Sequence, residues 1–389
     1  MRLTRRGGGF VFAASGLFLT AAIASVPALL YATGLLLGLV VLAGCFVRVG
    51  PRHIDVQRTF DPSVVDPGRV VTARVVVTNR SGLAGPAASW TDRMPRVVVG
   101  RPTGYLPGLP ARSRVTAEYA LSSTARGIHR IGPLQIELVD PFGLVRRRRS
   151  VGGSHPVTVL PQRYALGSSV RHARGASGTT RPIPQHVGMG EDDVIARPYV
   201  AGDSHNRLHW KATAHRGELM VRQAEHFVSP RATVALDLGE DVHDPRTLEW
   251  SVSSVASIVT LLAEGGHTVA VTSHDHAIDA AIDGAAGLRE VLIDLAGCGV
   301  SRLPVARQHV EHELILVAGR MSADRLGAWI AAIPPGTRVR AMIAASTPSG
   351  VVDDLDRAGW VWARYGPRST VPDVWTAIEE GRRVARPAP

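Results

Sequence analysis

The longest feature of the hydrophobic pattern comes first in the chain. From Gly7 to Val47 no Asp, Glu, Lys or Arg interrupts a run of apolar and small residues. As a single helix that run would measure about 60 Å, twice the roughly 30 Å of a bilayer core. Pro27 stands near its middle, so the pattern predicts a hairpin of two membrane-spanning helices, Phe10–Ser25 and Ala28–Val47. A signal peptide is the competing reading, with Arg2, Arg5 and Arg6 as its basic region and Ala22-Ile23-Ala24 as a cleavage site. The second apolar segment, which follows at once, favours the hairpin. Arg2, Arg5 and Arg6 precede it and Arg48, Arg52 and Arg58 follow it. Basic residues favour the cytoplasmic side, so both ends, and everything after them, are expected there.

Beyond the hairpin the period changes to two. Val70–Thr78 alternates polar Thr72 and Arg74 with apolar neighbours and stops at the turn cluster Asn79-Arg80-Ser81-Gly82. Arg114–Leu121 reads as a strand, Gly127–Val139 as two short strands around Gly132-Pro133, and Pro156–Leu160 as a last one. Asp140-Pro141-Phe142-Gly143 is a turn, and the cations Arg146–Arg149 read as a solvated or lipid-facing loop. Short strands at this spacing predict a small β-sandwich. Residues 165–190, dominated by Gly, Ser, Thr, Pro and Arg, offer little to bury and read as a linker.

After residue 230 strands and helices alternate. Arg231–Leu238 is a buried-type strand, and Pro245–Ala263 is a helix with Leu248, Val252, Val255 and Val259 three or four apart. His267–Ser273 is a strand with Ala277–Ile282 as its antiparallel neighbour, and Leu288–Leu295 is a helix. Glu313–Ala318, Thr337–Ala345 and Gly359–Arg364 read as strands, and Ala323–Ile333 and the segment from Pro372 as helices. That alternation predicts a mainly parallel sheet covered on both faces. The chain divides accordingly into 1–50, 51–162, 163–190, 191–230 and 231–389.

Composition narrows the class. The 389 residues are 45% hydrophobic and 20% charged, which excludes a disordered chain. Two cysteines, Cys45 and Cys298, exclude a disulfide scaffold. The net charge of +11 suits a chain lying against anionic membrane lipid. No recognition motif with interleaved aromatics accompanies it, so no nucleic-acid partner is expected. Among 44 basic residues a single one is lysine, Lys211.

Lys211 falls in the densest polar and aromatic stretch, Arg197 to Leu219. Gly202-Asp203 reads as a turn with Asp203 as a helix cap. On a helix from Ser204 to His215, Arg207, Lys211 and His215 would share a face. Three readings are compatible with these residues. One is a structural cluster in which Arg197, Asp203 and Arg207 form ion pairs and Trp210 packs inward. The second is a zinc pair at His205 and His209, which lacks a third ligand. The third is a nucleophilic or phosphate-binding Lys211.

The string from Tyr199 through Gly202-Asp203, Arg207, His209-Trp210-Lys211 and Thr213 to Gly217-Glu218-Leu219, with Asp140-Pro141-Phe142-Gly143-Leu144 upstream, resembles the signature of a bacterial membrane-protein family, domain of unknown function 58. The resemblance covers essentially the whole chain. It implies a membrane-anchored α/β protein: a two-helix transmembrane hairpin, a β-sandwich domain, and then a von Willebrand factor A-like doubly wound domain. It assigns the signature to Arg197, Tyr199, Gly202, Asp203, Arg207, His209, Trp210, Lys211 and Thr213. Ser204 and His215 depart from the family pattern, which more often has Asp and Arg there.

The same resemblance implies a divalent-metal site above the strand ends, with Asp-x-Ser-x-Ser in its first loop. Asp237 is in place, whereas Gly239 and Asp241 replace both serines and Arg320 brings a cation to a neighbouring loop. What is implied is a degenerate site at Asp237 and Asp241, suited to Mg²⁺ if any metal binds. No other cofactor is expected. In the reading this supports, the protein is a non-enzymatic, multi-pass cell-membrane protein whose cytoplasmic domains form an interaction platform. The implied partners are a MoxR-type AAA+ ATPase, a transglutaminase-like membrane protein and membrane lipids. The alternative is a metal-dependent or Lys211-assisted enzyme acting on an anionic substrate. Against it, the chain lacks a Gly-rich phosphate loop, a Cys/His zinc framework and a G-x-S-x-G elbow.

Overall fold

The computed structural model describes residues 1–48, 53–167, 194–198, 210–224, 231–310 and 313–381. Strand β1 (Arg2–Leu3) leads into helices α1 (Arg5–Ala24) and α2 (Ala28–Arg48). Both are long and apolar enough to cross a membrane. Thr4 caps α1 by accepting from the Gly7 N–H, and Ser25, at φ 52°, ends it. The break therefore falls at the predicted place, just before Pro27.

The next strands are β2 (Ile54–Asp61), β3 (Val64–Val65), β4 (Val70–Asn79), β5 (Ala88–Asp92), β6 (Val98–Gly100), β7 (Thr103–Leu106), β8 (Arg114–Ser123), β9 (Gly127–Ile131), β10 (Leu134–Val139), β11 (Val145–Val151) and β12 (His155–Val159). They form sheets ordered β2-β4-β8-β6, β1-β11-β10-β5-β7 and β3-β12-β9. Alternation along β4 sends Val71, Ala73, Val75 and Val77 inward. There they share one core with Trp90, Leu134, Ile136 and Val157 of the other sheets. That core holds one buried ion pair: Arg58 donates to both carboxylate oxygens of Asp92 at 2.8 and 2.9 Å and to the Gly153 carbonyl at 2.7 Å. Tyr119 adds its hydroxyl to the same carboxylate at 2.9 Å.

Arg146–Arg149 is a strand, contrary to the loop expected from four consecutive cations. Within β11 successive side chains point to opposite faces. Arg146 and Arg148 pair with Glu137 on β10, while Arg147 turns to the end of α2.

A short antiparallel pair, β13 (Val194–Pro198) and β14 (Met220–Ala224), brackets helix α3 (Trp210–Arg216). The C-terminal half contains β15 (Arg231–Leu236), α4 (Pro245–Glu264), β16 (Thr268–Ser273), β17 (Asp279–Ile282), α5 (Gly284–Gly297), β18 (Glu313–Val317), α6 (Ala323–Ala332), β19 (Arg338–Ala344), α7 (Ser349–Arg357), β20 (Val361–Tyr365) and α8 (Val371–Glu379). The sheet order is β17-β16-β15-β18-β19-β20, parallel except for the edge strand β17. Val255, Val291 and Trp375 of α4, α5 and α8 line one core, and Trp329 and Leu355 of α6 and α7 line another, so helices cover both faces. The pattern expected from the sequence holds here, apart from α7. This half abuts the β domain through Arg126, which reaches the Leu295 and Cys298 carbonyls at 3.4 and 3.3 Å and pairs with Glu249.

Candidate functional site

Strand order in the parallel sheet reverses between β15 and β18, and the carboxyl ends of such strands are where open α/β sheets place their ligands. Asp237 lies there, one residue past β15, its N–H bonded to the Val317 carbonyl of β18 at 2.9 Å. Its side chain is wholly buried. One carboxylate oxygen accepts from the Gly239 N–H at 2.9 Å and from Arg325 Nη2 at 2.5 Å. The other accepts from Arg325 Nε at 2.9 Å and Trp329 Nε1 at 2.7 Å. Arg325 and Trp329, four residues apart, lie on one face of α6, which Ser322 caps by accepting from the Arg325 N–H. Burial, the largest influence on Asp237, disfavours its ionisation. Hydrogen bonds and charge from Arg325, joined by Trp329 and Gly239, outweigh it and hold the carboxyl below its ordinary pKa.

The loops above Asp237 fit closely around this pair. A Cβ at Gly239 would lie 2.8 Å from Arg325 Nη2, so only glycine leaves room for the guanidinium. A Cβ at Gly319 would lie 2.2 Å from the Val242 carbonyl. His243 reaches the Asp237 carbonyl at 2.5 Å through Nε2, and burial lowers its pKa. Just past β16, His274, fully buried, accepts the Leu238 N–H at Nδ1 (3.0 Å), which leaves its ring proton on Nε2, facing the Leu303 carbonyl at 3.1 Å. For Asp275, burial opposes ionisation, but hydrogen bonds from Ser301, Ser273 and the Ala277 N–H bring its pKa down to about 2. Beside these groups opens a cleft of about 350 Å³ lined by Glu240, Asp241, Ser301, Arg302, Leu303 and Arg325. Arg302 pairs with Glu240 across its mouth.

The sequence placed a degenerate metal site at Asp237 and Asp241. The arrangement does not fit one: both oxygens of Asp237 are engaged by protein donors, and a guanidinium occupies the position a divalent cation would need. Among the described residues no three His, Cys, Asp or Glu side chains gather as ligands. Asp241 contributes by its charge, which favours the protonated form of Arg325. Arg325, Trp329 and His274 were not identified from sequence, and Gly239 enters there only as a departure from the metal loop. The spacing of Arg325 and Trp329 is legible, but their partner lies 88 residues before Arg325.

Of the signature residues, Tyr199, Gly202, Asp203, Arg207 and His209 lie outside the described residues. Arg197 is in β13, opposite Val221 of β14. Trp210 begins α3 and is 68% exposed, so the expected inward packing is corrected. Lys211 has its backbone in α3, and its side chain lies outside what is described. Thr213 accepts the Met220 N–H at 3.0 Å, and Gly217, at φ 73°, ends the helix, so α3 is tied back to β14.

No protein-family model matches the chain. It is 28% identical over 154 residues to the uncharacterized protein YeaD of Bacillus subtilis (strain 168), a match covering 39% of this chain and 37% of that protein. The chain thus spans little more than a third of that relative's length. Among solved structures, the CARDB domain of the PF1109 protein from Pyrococcus furiosus is 16% identical, covering 27% of this chain and 89% of that one, with a TM-score of 0.21. A cohesin module from a Clostridium perfringens family 33 glycoside hydrolase is 9% identical, covering 27% and 96%, with a TM-score of 0.19. Overlaps this slight leave the fold to be read from the chain itself.

Proposed function

We propose that this chain is a non-enzymatic membrane protein of the family known as domain of unknown function 58. In this reading α1 and α2 anchor it, and the β domain and a von Willebrand factor A-like half form a cytoplasmic platform for a partner. The observation that carries the proposal is the closed ion pair of Asp237 with Arg325. At the sheet position where chemistry would be sought, the fully buried Asp237 carboxylate is spent on a guanidinium and an indole. That carboxylate is left neither as a metal ligand nor as a general base. An internal cation holds the strand ends in one arrangement, which suits a recognition surface more than a catalytic centre.

Resemblance supplies the partner, a MoxR-type AAA+ ATPase, with a transglutaminase-like membrane protein as an associate. The cleft bordered by Asp241, Arg302 and Leu303 and the exposed helix carrying Trp210 are the surfaces offered to it. The test is cross-linking in membranes of the parent organism, extraction in detergent, and identification of what co-purifies. Recovery of the ATPase supports the reading. Recovery of another class of partner without it refutes the assignment.

A further inference from the structure

The turn Asp140-Pro141-Phe142-Gly143-Leu144 had no role in the function above, yet both helices of the hairpin and strand β1 converge on it. Asp140 is buried, and its carboxylate shapes the turn by accepting from the Phe142 N–H at 2.9 Å and the Val145 N–H at 2.6 Å. Gly143, at φ 70°, completes it. The product is a socket for the helical hairpin. Leu144 is inserted among Ala43, Val47 and Val145, with Phe10 packed alongside. Its carbonyl accepts the Thr4 N–H at 2.9 Å, and the Thr4 hydroxyl donates to the Gly143 carbonyl. β1 extends the sheet by pairing Leu3 with Val145. Gly7 passes so near that a Cβ would lie 2.1 Å from the Leu144 carbonyl oxygen. From the other side Arg147 donates to the Val47 and Arg48 carbonyls at 3.3 Å, capping α2. The first turn of α1 and the last turn of α2 are thus fixed to one turn of the β domain.

That junction sets the height of the turn. If α1 and α2 span a bilayer, the membrane surface lies at their ends, and the turn lies there too. At that level Phe142 is 53% exposed and Leu3 49%. Arg2, Arg5, Arg6 and Arg48 are also exposed there, and the first turn of α1 contains no acidic residue. Nearby, Glu137 is paired with Arg146 and Arg148, and the Asp140 carboxylate is buried. An exposed aromatic among exposed cations, with no free carboxylate beside it among the described residues, matches the interfacial zone of an anionic leaflet.

We propose that residues 140–144, with Leu3, form a lipid-docking foot: Phe142 enters the headgroup region while the four arginines engage anionic headgroups, holding the β domain against the membrane. The inference rests on the membrane-anchored reading. It is tested with the full chain, its two cysteines replaced by serine, reconstituted in vesicles of phosphatidylcholine and phosphatidylglycerol. A nitroxide is placed at 142, at 12 on the outer face of α1, or at 303 beside the distant cleft. Collisions with oxygen and with a water-soluble nickel complex report depth. The expected result is hydrocarbon depth at 12, aqueous exposure at 303, and at 142 a several-fold lower nickel accessibility than at 303. A label at Leu3 should read like 142 with Phe142 intact. In vesicles of phosphatidylcholine alone, 142 should move toward the aqueous value. Hydrocarbon depth at 12 with aqueous exposure at 142 overturns the foot and leaves the anchor standing, whereas aqueous exposure at 12 overturns the anchor. Shielding of 142 from both relaxants shows protein on that face and overturns lipid docking. Indifference to phosphatidylglycerol overturns the role of the arginines.

Discussion

Replacing Arg325 with leucine strips the charge partner from Asp237 while roughly keeping the bulk. The Arg325 side chain is 11% exposed and that of Asp237 fully buried, so solvent screens little of their interaction. Removing one member of such a pair costs about 3–5 kcal/mol, because it leaves an uncompensated charge inside. For a unit of 150 residues or more, each kcal/mol lowers Tm by about 2–4 °C, so the expected fall is about 6–20 °C. The pH dependence gives a second, independent reading. In the native protein Asp237 has a depressed pKa, so its contribution is present above the unfolded carboxyl pKa and is lost as pH falls through the lower folded value. In Arg325→Leu burial acts with only Trp329 and Gly239 against it, and the folded pKa rises. The penalty is then largest near neutral pH and above, and shrinks on acidification as Asp237 takes up a proton. Guanidinium unfolding of the detergent-solubilised protein, followed by tryptophan fluorescence that includes Trp329, measures both. The gap between variant and parent should be wider at about pH 8 than at about pH 5, and Asp237→Asn in the same chain should restore part of the loss. Arg325→Leu with parental stability, or a gap independent of pH, would refute the argument that this pair locks the site.

In the β domain, Arg58→Met should cost a similar 3–5 kcal/mol or about that in chemical unfolding, since Asp92 and Tyr119 are left facing an apolar stem; adding Asp92→Leu should recover most of it. Gly7→Val should unseat the hairpin from the Leu144 carbonyl, which limited trypsinolysis would register as earlier cleavage among Arg146–Arg149. Saturating Mg²⁺ or EDTA should leave the thermal transition of the protein unchanged, because Arg325 already supplies the cation at Asp237; a metal-dependent rise in Tm would contradict this. Lys211→Arg should reduce recovery of the cross-linked partner while leaving Tm near the parental value, and undiminished recovery would remove Lys211 from the recognition surface.

Much of the architecture was legible because its signals are local. The inward valines of β4 alternate along the sequence, and Val252, Val255 and Val259 of α4 recur at helical spacing on a fully buried face. Arg146–Arg149 reads as a loop in the sequence because four like residues erase the polarity contrast on which alternation depends. The two faces of β11 are nevertheless distinct, one meeting Glu137 and the other the end of α2. Helix α7 gives little periodic signal because acidic Asp353, Asp354 and Asp356 dominate a nine-residue segment whose apolar stripe is only Val351, Val352 and Leu355.

The site was half legible, and the missing half has a physical form. The family resemblance singles out Asp237 and marks the glycine two residues on as a departure from a hydroxyl-bearing loop. What the sequence did not reveal is that this departure and Arg325 belong together. A side chain at 239 would stand 2.8 Å from the guanidinium, so the absence of a Cβ there and the cation on α6 are two sides of one arrangement. A metal-binding loop and an arginine-filled one differ at positions far apart in the chain. Neither residue alone tells which is present; their distance in space does. Gly239 therefore reads less as the loss of a ligand than as the room an internal cation requires.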